Sequence, residues 1–334
     1  MNESSHFDRL IRGCINLADE RLGAAVLFAT DEFFGKKERL LRAEEPQSRP
    51  GVYDDNGKWM DGWETRRRRD GGHDHCVIRL AGPGIISVIE IDTRFFTGNY
   101  PPCASVQACR TSAVPDESTQ WSELLAPTTL AGNQQCHLEV PSTGTWTHLK
   151  LNMYPDGGIA RFRAYGRLSL EWQATPATEV IDLAAALSGG MAIACSDEHF
   201  GSMQNLLLPG RAASMAQGWE TRRRREPGYE WVIVRLGHVG RIERVEIDTC
   251  FFRGNFPQQV SLNAALGPVD GGQDLVAACQ FWPSLLEPQY LQADRVHVFE
   301  DQLRDLRAVS HVRINIHPDG GLSRVRLLGR PQLT

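Results

Sequence analysis

Short apolar runs of strand length recur along this chain. Cys76-Val77-Ile78-Arg79-Leu80 and Ile86-Ser87-Val88-Ile89-Glu90-Ile91-Asp92 are rich in β-branched residues, partly alternating, and separated by Gly and Pro. Trp231-Val232-Ile233-Val234-Arg235-Leu236 and Ile242-Glu243-Arg244-Val245-Glu246-Ile247-Asp248 have the same character. Such runs predict half-buried strands rather than helices. Alternation sends Val245 and Ile247 to one face and Glu246 and Asp248 to the other. Pro155-Asp156-Gly157-Gly158 and Pro318-Asp319-Gly320-Gly321 are strong turn signals, each followed by a last strand, 160–166 and 323–329. Helical signal is confined to short stretches around Leu40-Leu41 and Leu206-Leu207. Many short strands and little helix predict an all-β protein.

The pattern occurs twice. Gly62-Trp63-Glu64-Thr65-Arg66-Arg67-Arg68-Arg69 reappears as Gly218-Trp219-Glu220-Thr221-Arg222-Arg223-Arg224-Arg225, an offset of 218 − 62 = 156. Glu90-Ile91-Asp92-Thr93 answers to Glu246-Ile247-Asp248-Thr249, and Gly98-Asn99 to Gly254-Asn255. A period this long means one whole domain, copied. Upstream, Thr30-Asp31-Glu32 answers to Ser196-Asp197-Glu198 at 196 − 30 = 166. The first copy therefore carries ten extra residues (166 − 156) within Ala43 to Met60, a stretch of loop composition. Asp61, before the first Gly-Trp, is Gln217 in the second copy. The expected organisation is an extension at 1–14, a first repeat at 15–170, a linker at 171–179, a second repeat at 180–330 and a tail at 331–334. Each repeat is expected to be a jelly-roll sandwich.

Bulk properties narrow the class. The chain has 334 residues, 41% of them hydrophobic, and a net charge of −5. Each half is long enough to bury a core of its own. Net acidity makes the arginine runs local features and argues against a nucleic-acid partner. No secretory signal and no membrane-length apolar run is visible, so neither export nor a membrane partner is expected. The eight cysteines do not align between the copies, Cys76 facing Val232 and Cys250 facing Arg94. Scattered thiols without a shared pairing point to a reducing, cytoplasmic setting. A homo-oligomer is expected on the frequency of symmetric assemblies.

The doubled Gly-Trp-Glu-Thr-Arg-Arg block, the doubled Glu-Ile-Asp-Thr-x-Phe-Phe-x-Gly-Asn-x-Pro block and the doubled Pro-Asp-Gly-Gly turn resemble the allantoicase family, from about Ile15 to Arg330. The strand order also resembles galactose-binding-like domains. The resemblance implies tandem galactose-binding-like jelly rolls and an enzyme of purine catabolism. Its reaction would split allantoate and water into ureidoglycolate and urea. It also implies that some bacterial members act on ureidoglycolate itself. A non-catalytic tandem carbohydrate-binding module is the alternative, since fold does not fix function.

Allantoate is a small carboxylate with two ureido groups on one carbon. It calls for a guanidinium fork, donors and acceptors for the ureido groups, and an acid for the departing nitrogen. Glu64 and Glu220 are the first acid/base candidates; each could instead simply pair with an arginine. In an extended chain Arg66 and Arg68 share one face and Arg67 and Arg69 the other, as do Arg222 and Arg224 against Arg223 and Arg225. One pair would bind and one would be structural, and alternation alone does not say which. Arg66, Arg68, Arg222 and Arg224 are taken as the binding set. Asn99 and Asn255 suit a ureido group, or a turn. Asp92 and Asp248 end strands and would activate water or cap the next turn. His148 and His311 would shuttle a proton or be buried and hydrogen-bonded. Asp156 and Asp319 read as turn formers, and Asp31, Glu32, Asp197 and Glu198 as caps. His73-Asp74-His75 is the one tight His/Asp cluster, but the second copy has Tyr229-Glu230-Trp231 there. No cofactor or metal is therefore expected, a divalent ion having only that weak signal.

Overall fold

The computed structural model describes residues 6, 7, 10, 11, 13–141, 143–172, 176, 178–267 and 273–332. The chain divides into two compact units, Met1–Ser169 and Leu170–Thr334. The expected linker and both terminal segments lie partly outside the described residues, as do residues 268–272.

Each unit is built around one long strand. In the first it is Asp74–Asp92, which the sequence reads as two strands separated at Gly82-Pro83-Gly84. The chain instead bends there without a break. The first half of the strand pairs with Trp146–Tyr154 and Ala25–Ala29. The second half pairs with Arg161–Leu168 and Gln135–Glu139. Pairing on both edges of both halves gathers eight strands into a sheet that folds over on itself. Gly84 permits the bend: a Cβ there would lie 2.5 Å from Leu17 Cδ1 and 3.0 Å from the Arg167 carbonyl. Ile78, Ile86, Ile89 and Ile91 line the interior of the bend with 0% exposure. Each such side chain contributes about 1.5–3 kcal/mol.

The second unit repeats this plan with Glu230–Asp248 as the long strand and Gly240 at the bend, against Leu183 and Arg330. The expected short helices are 3-10 turns, Lys37–Leu41 and Met203–Leu207. A short α-helix the sequence did not announce, Gln273–Ala278, follows, and Leu275 and Cys279 bring it onto Ile233. The all-β jelly-roll expectation holds in both units. No described helix is long and apolar enough to cross a membrane.

Candidate active site

A two-residue strand carries the principal carboxylate of each unit. Trp63–Glu64 pairs with Gly158–Ile159, directly after the Pro-Asp-Gly-Gly turn. Trp63 is fully buried, and its ring N–H donates to the Asp31 carbonyl at 2.8 Å. The Glu64 backbone exchanges two 3.1 Å hydrogen bonds with Gly35. These contacts fix the strand from both sides. In the second unit Trp219–Glu220 pairs with Gly321–Leu322, and Trp219 donates to the Asp197 carbonyl at 2.9 Å.

The turn glycines bring the asparagine loop to this strand. Gly157 has φ +145°, and a Cβ there would sit 2.6 Å from Pro101 N. A Cβ on Gly158 would lie 2.1 Å from the Phe96 ring, so Phe96 packs flat on the turn. Asn99 is thereby held so that Nδ2 donates to Glu64 Oε1 at 2.7 Å, while its carbonyl accepts the Gly158 N–H at 2.7 Å. Asn255 Nδ2 donates to Glu220 Oε1 at 2.6 Å in the same arrangement. The expected candidates Glu64 with Asn99, and Glu220 with Asn255, are thus brought together.

Glu64 is buried, and desolvation pushes its carboxyl above the usual range; the Asn99 hydrogen bond and Lys58 oppose the shift, and Asp54 reinforces it. A carboxyl of this kind keeps its proton nearer to neutrality. In the second unit Glu220 and Asn255 line a cleft of about 430 Å³ with Arg223, Gln258, Tyr290 and the Pro318-Asp319-Gly320 turn.

The arginines sort by the acids they meet. Arg66 grips Asp31 through its backbone N–H at 2.7 Å, Nε at 2.8 Å and Nη2 at 2.7 Å. Arg68 donates to Asp74 at 2.6 Å, to Asp70 and, through its backbone, to Asp156 at 2.8 Å. Arg222 does the same with Asp197, and Arg224 with Glu230 and Asp319. The structure therefore places the four arginines taken as the binding set in ion pairs that pin the strand. Arg223 faces the cleft and, like its counterpart Arg67, has no ion-pair partner among the described residues.

The remaining candidates lie elsewhere. Asp92 is fully buried, where its carboxylate accepts the Arg94 backbone N–H at 2.8 Å and the Arg94 guanidinium at 2.6 Å. Asp248 likewise accepts the Cys250 N–H at 2.8 Å. Both cap the turn that follows, and Asp248 is not among the cleft-lining residues. His148 lies six residues before Tyr154, at the far end of its strand, about 20 Å from the turn at the usual rise. It is buried, with Nδ1 3.0 Å from Thr147 Oγ1. His311 is 1% exposed beside Ser310, and burial with Arg235 pushes its pKa down to about 4. Neither ring reaches the Glu–Asn pair, because strand spacing separates them. Asp156 and Asp319 form their turns and also accept arginine N–H groups. Asp31 and Asp197 cap the next backbone N–H groups as well as pairing. Asp74 is committed to Arg68 and to the Thr30 hydroxyl at 2.7 Å, which leaves the His73-Asp74-His75 cluster without a free carboxylate. Among the described residues no group of three His, Cys, Asp or Glu side chains is set to hold a metal.

Comparison with known proteins gives this geometry relatives. A family profile described as the allantoicase repeat matches residues 15–169 and again 181–332. The chain is 54% identical over 321 residues to "Probable allantoicase 2" of Burkholderia pseudomallei (strain K96243), covering 95% of each chain. It is 52% identical over 325 residues to "Probable allantoicase" of Pseudomonas aeruginosa (strain LESB58), covering 96% of this chain and 97% of the other. The crystal structure of allantoicase from Saccharomyces cerevisiae superposes with a TM-score of 0.82 at 35% identity, over 98% of this chain and 97% of that one.

Proposed function

The chain belongs to the allantoicase family, and on that premise we propose that it hydrolyses allantoate to ureidoglycolate and urea at a Glu–Asn site of this kind. The observation that carries the site is the pairing of a carboxyl and an amide, 2.7 Å apart in one unit and 2.6 Å in the other, with an uncommitted arginine beside it. Arg67 or Arg223 offers its fork to the substrate carboxylate. Asn99 or Asn255 holds Oε1 of the glutamate, which leaves Oε2 to face the ligand.

The chemistry follows from a protonated glutamate. Its proton passes to the nitrogen of the departing ureido group as that C–N bond breaks, and urea leaves. The remaining nitrogen keeps its hydrogen, and its lone pair forms the C=N bond of an acyl-iminium. Water then adds to the same carbon, its oxygen forming the new C–O bond as the C=N pair returns to nitrogen. One water proton returns to the glutamate and the other stays on the oxygen as the hydroxyl, which gives ureidoglycolate. The first-choice arginines of the sequence reading, Arg66, Arg68, Arg222 and Arg224, act in this scheme as braces for the strand. Asp92, Asp248, His148 and His311 take no part in proton transfer.

Urea release from allantoate by the purified chain tests the reading. Wild type forms urea, and Glu64→Gln and Glu220→Gln together abolish it, a loss of about 10²–10⁴-fold from removal of a general acid. Arg67→Ala with Arg223→Ala raises KM more than it lowers kcat. Activity unchanged in the double glutamate variant removes these residues from the mechanism. An absence of urea from the wild type, with or without added divalent metal, restores the carbohydrate-binding alternative. A cytoplasmic setting, supported by eight free thiols, and a homo-oligomer, expected only from the frequency of symmetric assemblies, are part of the same proposal and are tested by fractionation and sedimentation.

A further inference from the structure

The insertion that distinguishes the first repeat packs onto Phe33 and Phe34, beside the strand that carries Glu64. Tyr53–Asp54 and Gly57–Lys58 form a hairpin. Asn56 Nδ2 donates to the Phe33 carbonyl at 2.8 Å, and Gly57 lies on the Phe34 ring, where a Cβ would be 3.7 Å away. Phe200, the counterpart of Phe34, is 63% exposed at the second cleft. The base of the insertion is fastened by Asp61, which accepts the Gln47 N–H at 2.9 Å and the buried Arg161 guanidinium at 2.8 Å. Arg161 also donates to the Glu44 carbonyl at 2.8 Å. Trp59 is held between the Arg39 and Arg49 guanidiniums, 5.4 and 4.6 Å from its ring. The second unit has Gln217 in place of Asp61, and Glu220 there is half-buried where Glu64 is buried.

From this, and resting on the proposed function, we infer that the two Glu–Asn sites divide the work. The first, beneath its hairpin, protonates the departing urea. The second is a reversible binding site for small ureido carboxylates, substrate or product, that does not turn them over. The physical basis is the surroundings of each carboxyl. Glu64 faces Asn99, Lys58 and Asp54 in a covered, partly dehydrated place, which favours the protonated form a leaving amide nitrogen requires. Glu220 faces an open cleft in which Arg223, Asn255 and Gln258 can hold a carboxylate and a ureido group, while Tyr290, 72% exposed, offers a ring at the rim.

The experiment uses the full chain. Glu64→Gln lowers kcat about a thousandfold, within the range for a general acid, and Glu220→Gln lowers it less than tenfold. In Glu64→Gln, calorimetric titration with allantoate finds two sites per chain, and adding Arg223→Ala leaves one. Within the intact hairpin, Lys58→Ala moves the alkaline limb of the kcat profile upward, because a charge that favours ionised Glu64 is gone. Asp54→Asn moves it downward, each by about half a pH unit, as expected for exposed charges. The inference is overturned by Glu220→Gln lowering kcat as far as Glu64→Gln, by a single site per chain in Glu64→Gln, or by an alkaline limb unmoved in both hairpin variants. No urea from wild type overturns the proposed function itself, an outcome separable from these because the titration still counts the sites.

Discussion

In the first repeat a buried aspartate, Asp61, meets a buried arginine, Arg161, and ten additional residues are tied down around them. In the second, Arg324 occupies the matching place and donates to the Gln217 carbonyl at 2.7 Å, while the Gln217 side chain turns to the Ala213 N–H at 2.8 Å. The braces of the central motif, by contrast, are the same in both: Trp to the carbonyl of Asp31 or Asp197, arginine to its carboxylate, and asparagine to glutamate. Duplication has kept what holds the glutamate and changed what covers it. A difference in chemistry between the repeats therefore need not involve a different reacting side chain. It can come from the dielectric around an identical one.

The comparison can be broken most forcefully at its anchor. Arg161→Met takes from buried Asp61 its 2.8 Å guanidinium partner, leaving only Arg42 at 3.6 Å, and removes donors from several carbonyls, which costs about 3–5 kcal/mol. Arg324→Met, which removes the matching donor to the Gln217 carbonyl, is the reference. Chemical denaturation of the two variants measures the difference, and equal losses would show that Asp61 is not what sets the repeats apart.

A smaller contrast concerns acid. The pKa of His311 is lowered to about 4 from an ordinary 6.5, so its unfolded form binds the proton first. Its contribution to stability is complete above pH 6.5 and disappears as pH falls from there through about 4, by at most roughly 3 kcal/mol. Burial and Arg79 shift His148 in the same direction. His311→Phe is expected to unfold at a lower pH than wild type. An unchanged acid midpoint would remove His311 as the trigger.

The smallest effect is expected where the sequence pointed first. Arg66→Met and Arg222→Met each delete an ion pair in which the arginine is well exposed, at 65% and 68% of its side chain. Stability should fall by no more than about 1 kcal/mol, and kcat/KM should remain within about threefold. A loss of a hundredfold in either would return the carboxylate-binding role to the even-numbered arginines.

These outcomes bear on what could be read without coordinates. The doubled architecture, the strands and the turn were legible because period-two patterning and Pro-Asp-Gly-Gly are local signals. Glu64, Glu220, Asn99 and Asn255 could be singled out because both copies retain them, the glutamates within the doubled motif and the asparagines in the loop after the long strand. The bend at Gly82-Pro83-Gly84 was misread as a strand end, since punctuation looks the same whether a strand stops or folds over. The Gln273–Ala278 helix is made by packing on Ile233, a contact distant in sequence. The parity of the arginines was hidden for the same reason: Asp31 lies 35 residues before Arg66, and only the fold shows which face it meets. His148 and His311 lie near the starts of their strands, Trp146–Tyr154 and Val309–His317, and the length of the strand separates them from the Glu–Asn pair.

The single long strand also sets a timescale. Amide protons from Ile89 to Asp92 lie between two neighbouring strands, so their exchange with deuterium should require opening of the whole unit. Trp63–Glu64 is joined to a partner only two residues long. Its amides should exchange well before those of Ile89–Asp92, through excursions that leave the frame intact. Such a site can part briefly to admit a ligand or release urea and then re-form against an unmoved template.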